Sequence, residues 1–132
     1  MTKEKPRLQS APVVLAVDDD VAVLRVIAAH LNDDYHVKTA SSGEQALQIL
    51  SEVTPNVMIL DVMMPGISGY DLCHLVKREE HLKNIPVIFL TSRRDPKDFK
   101  TGHSLGAVIY MVKPFKPDQL LHVVQMVTSI PA

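Results

Sequence analysis

A single cysteine in 132 residues removes two kinds of protein at once. Cys73 can form no internal disulfide, and no thiolate cluster is available to hold a metal. Neither charge is in excess. Fourteen Lys and Arg against fifteen Asp and Glu leave a net −1, which gives no electrostatic reason to bind nucleic acid. No apolar run approaches the roughly 20 residues of a membrane helix, and the opening MTKEKPRLQSAP lacks a secretory hydrophobic region. The six histidines show no metal-ligand spacing, and His103 and His122 are expected to face solvent. Internal repeats and a second composition zone are absent as well. What is present, 46% hydrophobic and 22% charged residues, is the make-up of an ordinary soluble domain large enough to bury a core. We expect one domain over residues 12–130, a flexible tail or cut edge over 1–11, and a reducing, cytoplasmic setting.

Four short apolar runs rich in β-branched residues stand out: 13–17, 56–60, 86–90 and 108–112. Runs of this kind mark parallel strands buried on both faces. The segment 35–40 instead alternates, with Tyr35, Val37 and Thr39 between His36, Lys38 and Ala40, so it is expected at a sheet edge. Helical spacing fills the gaps. Residues 20–31 carry Val23, Val26, Ile27 and Leu31 as a core face; Ser42 and Gln45 predict a capping box for a helix to about residue 52 that buries Ala46, Leu47 and Leu50. Residues 70–80 offer Leu72, Leu75 and Val76, and 117–128 offer Leu120, Leu121, Val124 and Val127. The segment 96–105 is the weakest helix, with Gly102 inside it. The pattern is (βα)5, a doubly wound α/β sandwich with right-handed crossovers and helices on both faces of a parallel sheet.

In such a sheet the carboxyl ends of the strands converge on one crevice. The residues closing the apolar runs are Asp18 and Asp19, Asp61, Thr91 and Lys113. Three bare carboxylates cannot share a pocket: two unit charges about 4 Å apart repel by about 1 kcal/mol in water and about 4 at an effective dielectric of 20. Either a proton or a cation must sit among them. Hard oxygen donors without His or Cys favour Mg²⁺ or Mn²⁺ over zinc. A phosphoryl group suits a divalent ion, an ammonium and a hydroxyl together, and a carboxylate can attack phosphorus to form an aspartyl phosphate. Asp61, closing the central strand, is the expected nucleophile. Asp19, with Asp18 through water, would hold the metal; Lys113 and Thr91 would hold phosphoryl oxygens.

The motifs VDDD (17–20), DVMMPGISGYDL (61–72), TS (91–92), GA (106–107) and KPF (113–115) resemble those of the response-regulator receiver, or CheY-like, family over nearly all of 13–127. The resemblance implies a flavodoxin-like sheet of order 2-1-3-4-5 and a Mg²⁺-dependent domain of two-component signalling. Such a domain accepts a phosphoryl group from a sensor histidine kinase or a histidine phosphotransfer domain and changes shape to control a partner or linked output domain. It implies Asp61 as phosphoacceptor, Asp18 and Asp19 as the acidic metal pair, and the Met63 backbone carbonyl as a further ligand. Thr91 and Tyr110 become the switch pair, and Lys113 the phosphoryl-binding lysine, followed by a cis Lys113–Pro114 bond. The chain is then not an enzyme acting on an external substrate, although it would hydrolyse its own acyl phosphate.

Three departures from the family pattern carry expectations of their own. Val108 and Ile109 stand where two acids are frequent, which makes a charge-paired dimer through the 96–105 segment, the fifth strand and the last helix a poor candidate. They either form an apolar partner surface or pack under the 96–105 helix. Met63 and Arg93 flank the acceptor and are expected to modulate hydrolysis. Leu24, with Ala22, Val23, Val26, Pro114 and Phe115, is expected to widen a docking patch for the kinase or phosphotransfer helix. A haloacid-dehalogenase-type phosphatase would need an acid where Met63 stands, and an FMN carrier would need a phosphate loop where Asp18–Asp20 stand. A degenerate receiver acting as a phosphorylation-independent module is the remaining alternative. The kinase, the stimulus and the output partner have no signature in the sequence.

Overall fold

The computed structural model describes residues 11–92 and 109–128. Five strands, β1 (Val13–Val17), β2 (His36–Ala40), β3 (Val57–Asp61), β4 (Val87–Thr91) and β5 (Ile109–Val112), form one parallel sheet in the order β2-β1-β3-β4-β5. Four helices are described: α1 (Val21–Leu31), α2 (Gly43–Leu50), α3 (Gly69–Lys77) and α4 (Pro117–Thr128). The expected 96–105 helix, Arg93, His103, the Gly106–Ala107 pair, Val108 and the tail over 1–10 lie outside the described residues. No helix among the described residues is long and apolar enough to cross a membrane.

The pleat explains the continuous apolar runs. Leu15, Val17, Met58, Leu60, Val87 and Phe89 point to one face of the sheet and pack with Ala46, Leu50, Leu72, Cys73 and Val76 from α2 and α3. Their neighbours Val14, Ala16, Val57, Ile59, Ile88 and Leu90 point to the other, against Leu24, Ile27 and Leu31 of α1 and Leu120 and Val124 of α4. Strands covered on both sides have no polar face to spare, which is why alternation vanishes from β1, β3 and β4. It persists weakly in β2, which lies at an edge as expected. The other edge is β5, and its four residues are only partly buried, unlike the full burial expected for 108–112.

Helix faces were less legible. In α1 the buried residues are Leu24, Ile27 and Leu31, while Val26 is exposed, so the core face is turned from the one expected. Leu24 therefore cannot widen a docking patch; it is core. In α3 the buried set is Leu72, Cys73 and Val76, and Leu75 faces out. That helix ends at Lys77, three residues early, and the Lys77 ammonium donates to the carbonyls of Lys83 and Ile85, holding the turn that follows. Lys77 is thus part of a closed turn, while Arg78, Glu79 and Glu80 beyond it are exposed. At α2, Ser42 caps the Gln45 N–H as predicted, but the Gln45 side chain accepts from Ser41 and leaves the box unreciprocated. The complete box belongs to α3, between Ser68 and Asp71. His122 is exposed, and Cys73 is fully buried with its thiol pKa pushed up by that burial.

Candidate functional site

The strand ends bring Asp18, Asp61, Thr91 and Lys113 together at the carboxyl edge of the sheet. Asp61 and Thr91 are the last residues of β3 and β4, one position further into the strands than the apolar runs implied. Each is buried, as is Asp18. The register puts Leu90 beside Asp61 and Val112 beside Thr91, and the Lys113 N–H donates to the Thr91 carbonyl at 2.7 Å. That bond delivers the Lys113 side chain to the acids. Its ammonium donates to Asp18 Oδ2 at 2.7 Å and to Asp61 Oδ1 at 3.4 Å. The Lys113–Pro114 bond is cis, as the resemblance implied.

Asp18 and Asp19 adjoin in sequence but differ in setting. Asp18 is 1% exposed. Its Oδ1 accepts the Asp20 N–H at 2.9 Å, its Oδ2 accepts from Lys113, and its own N–H is tied to the Ala40 carbonyl on β2. Asp19 points to water. Asp20 is spoken for, since its carboxylate caps α1 through the Ala22 N–H. One carboxylate oxygen from each of Asp18, Asp19 and Asp61 lies within 4.8 Å of the others. Opposite ligands on Mg²⁺ stand about 4 Å apart, from metal–oxygen distances near 2.1 Å. Hard donors at this spacing fit such an ion, with Asp19 the most open of them.

The electrostatics agree. Burial, then the Asp18 charge, push the Asp61 carboxyl up to about 6, against the opposing charge and hydrogen bond of Lys113; Asp19 adds a smaller push. Burial works to lower the Lys113 ammonium, but the hydrogen bond and charge of Asp18, and then those of Asp61, leave its pKa raised. Lys113 stays a cation while the acids compete for it. A buried carboxyl pushed up in this way welcomes further positive charge beside it.

The loop after Asp61 is shaped by glycine. Gly66 has φ +74, a left-handed conformation other residues enter at a cost. Gly69 is there for space: a Cβ on it would stand 2.1 Å from the Asp61 carbonyl oxygen, and its N–H donates to Val62 O at 3.0 Å. The obstructing atom is backbone, on the strand that carries the acceptor. Gly69→Ala is therefore expected to cost at least about 2 kcal/mol in denaturant unfolding, at the severe end for overpacking. A loss within measurement error would contradict this packing. Met63, in the same loop, exposes 55% of its surface; Arg93 lies outside the described residues.

Tyr110 pairs with Phe89 across β4 and β5, with ring centroids 5.4 Å apart, and burial pushes its phenol up to about 12. It packs on the α2–α3 side of the sheet, two residues before the Val112 that adjoins Thr91. Of the expected docking residues, Ala22, Val23, Val26, Pro114 and Phe115 do line one groove, of about 470 Å³, with Ser92 and Lys113 at its wall. Leu24 is absent from it. Ile109 is partly buried and packs against the α1–α4 core, while the 96–105 segment under which it was alternatively expected to pack lies outside the described residues.

This constellation is that of a known family. The response regulator receiver domain model matches residues 14–125, and the chain belongs to that family, which serves two-component signalling. Among curated proteins it is 43% identical over 108 residues to ycf27 of Cyanophora paradoxa, described as a probable transcriptional regulator; the match covers 81% of this chain and 44% of the relative. This chain thus spans less than half the length of that relative. Among solved structures, the chemotaxis protein CheY4 of Vibrio cholerae is similar with TM-score 0.85 and 34% identity, over 89% of this chain and 99% of that one. The beryllofluoride-activated DrrB receiver domain is similar with TM-score 0.84 and 33% identity, over 91% and 99%.

Sequence reasoning passed over one glycine beside this loop. Gly43, at the start of α2, is buried against the loop that follows Asp61. A glycine just after a helix cap was the available signal.

Proposed function

We propose that this chain is a phosphorylation switch in which Asp61 accepts a phosphoryl group from a phosphohistidine on a sensor kinase or phosphotransfer protein. The observation that carries the reading is a buried carboxylate at the end of the central strand, facing one ammonium and two further acids. In the reaction an Asp61 carboxylate oxygen bonds to phosphorus while the imidazole N–P bond breaks, and the leaving nitrogen takes up a proton. Asp61 must be ionised to attack, and Lys113 beside it favours that form. Asp19, Asp18, Asp61 and the Met63 carbonyl would hold Mg²⁺, or Mn²⁺ in its place, which when bound supplies positive charge against the phosphoryl oxygens. Lys113 would transfer its hydrogen bond from Asp61 to a phosphoryl oxygen, and the Thr91 hydroxyl would donate to another. The pull on Thr91 frees space toward which the Tyr110 ring can move, altering the face around β5 and α4.

The groove between α1 and the segment after β5 suits a partner helix, because it is apolar and opens beside Lys113. The product of each cycle is a changed binding surface, and hydrolysis of the acyl phosphate, tuned by Met63 and Arg93, resets it. The partner is a linked or separate output module, as the greater length of ycf27 supports, and the domain works in the cytoplasm. The test is direct: with acetyl phosphate and Mg²⁺, the wild-type chain should gain one base- and hydroxylamine-labile phosphoryl group mapped to Asp61. Absence of label, or a label elsewhere, would end this reading. Asp19→Asn is expected to weaken Mg²⁺ binding by at least about tenfold, the loss of a charged ligand. Its melting temperature in EDTA should hardly change, because Asp19 is exposed; unchanged Mg²⁺ affinity in a titration would remove Asp19 from the metal set.

A further inference from the structure

Gly43 is the first residue of α2 and is buried, yet its backbone is not left-handed; among the described residues the only positive-φ glycine is Gly66. Conformation therefore does not call for glycine at 43. Helix propensity argues against it, since Ala is favoured over Gly within helices by roughly 0.5–1 kcal/mol. Space does call for it. A Cβ on Gly43 would lie 2.6 Å from Ile67 Cβ, 2.9 Å from Ile67 Cγ2 and 3.1 Å from the Ile67 carbonyl oxygen. Ile67 Cβ is bound to backbone and cannot swing aside as a side-chain tip would. One residue on, the Glu44 carboxylate lies over Gly66, with Oε2 3.0 Å from where a Gly66 Cβ would stand.

The first turn of α2 is thus seated on the 66–67 part of the loop that leaves Asp61 and carries Met63. The same connection begins at Ala40, whose carbonyl accepts the Asp18 N–H at 3.1 Å. Residues 40–44 consequently touch both acid-bearing segments, one through Ala40 and the other through Gly43. We infer that the β2–α2 junction is a bracket that sets the distance between the Asp18–Asp19 corner and the loop after Asp61, with Gly43 as its positioning residue. Gly43 touches neither the phosphoryl group nor the metal. It acts through Ile67. This rests on the metal-site reading above, and it assigns the geometry of that site to a helix that contributes no ligand.

A double-mutant cycle tests it. Gly43→Ala is expected to lower Mg²⁺ affinity about tenfold in a calorimetric or Mn²⁺-competition titration, and to shift the backbone amide resonances of residues 62–68 in metal-free protein. In an Ile67→Gly background, which lacks both side-chain atoms that the new methyl strikes, the same Gly43→Ala change should cost less than about twofold, since coupling marks a shared contact. A merely structural glycine would lower the melting temperature in both backgrounds and leave Mg²⁺ affinity alone. Equal loss of affinity in the two backgrounds, or loop amides that do not shift, would overturn the inference. Should Gly43→Ala fail to fold, Ile67→Ala with Gly43 retained loosens the same seat. It should weaken Mg²⁺ several-fold, and unchanged affinity there would also overturn it. If wild type itself ignores millimolar magnesium, the metal reading falls, and the metal-free amide shifts alone decide whether the junction positions the loop.

Discussion

Asp61→Asn takes up no phosphoryl group from acetyl phosphate and Mg²⁺ under conditions in which the wild-type chain takes up one. The loss should be complete, because an amide is not a competent nucleophile toward phosphorus and the neighbouring acids are poor substitutes. Both oxygens of Asp18 are already engaged, one by the Asp20 N–H and the other by Lys113. Asp19 lies open to water, where an acyl phosphate would have no shelter. Asp61 is buried, and its longer contact with Lys113, at 3.4 Å against 2.7 Å for Asp18, is one it can surrender to an incoming phosphoryl oxygen. Intact-mass measurement with peptide mapping decides the matter. Stoichiometric labelling of the asparagine variant would mean that another side chain is the acceptor, and the geometry of the strand ends would need a different use.

The same substitution is expected to make the metal-free protein more stable at neutral pH. Burial and the Asp18 charge raise the Asp61 carboxyl from 3.8 to about 6. Between those values the folded chain holds a proton that the unfolded chain has released. Stability from this group is therefore fully present below about pH 4 and is lost as pH rises through 6, by linkage. A shift of about two units corresponds to about 3 kcal/mol at most. In EDTA at pH 7.5, Asp61→Asn should melt roughly 5–10 °C above wild type, given the few degrees per kcal/mol expected at this chain length. At pH 4 the two should melt together. Added Mg²⁺ should close the gap from the wild-type side, because a ligand bound only by the folded state stabilises it. A gap that is absent at pH 7.5, or equal at both pH values, would show that Asp61 carries no such penalty.

Much of this was written in residue order. Continuous β-branched runs identified strands buried on two faces because a parallel sheet between helix layers leaves no strand a polar side. The polar residues closing those runs identified the site because every parallel strand ends at the same edge. The helix faces were harder. In α1, Val23, Leu24, Val26 and Ile27 are all apolar, so several faces satisfied the spacing, and only docking on the sheet selected Leu24 and Ile27 for the core. The turn that Lys77 closes could not be read from spacing, because the two carbonyls it binds lie six and eight residues away, with no local signature. Gly43 was passed over for a similar reason, since its obstacle is Ile67, on a different loop.

The sequence alone determined the order of elements, the parallel sheet and the identity of the acids, hydroxyl and ammonium at its rim, since hydrophobic patterning and strand termini are local properties. Tertiary structure decided the division of labour among them. Asp18 is committed to Lys113 and the Asp20 amide while Asp19 stays open, and a helix start sits within van der Waals reach of the acceptor's loop. Contacts between segments tens of residues apart depend on how layers pack, and no pattern within a single window of sequence records that.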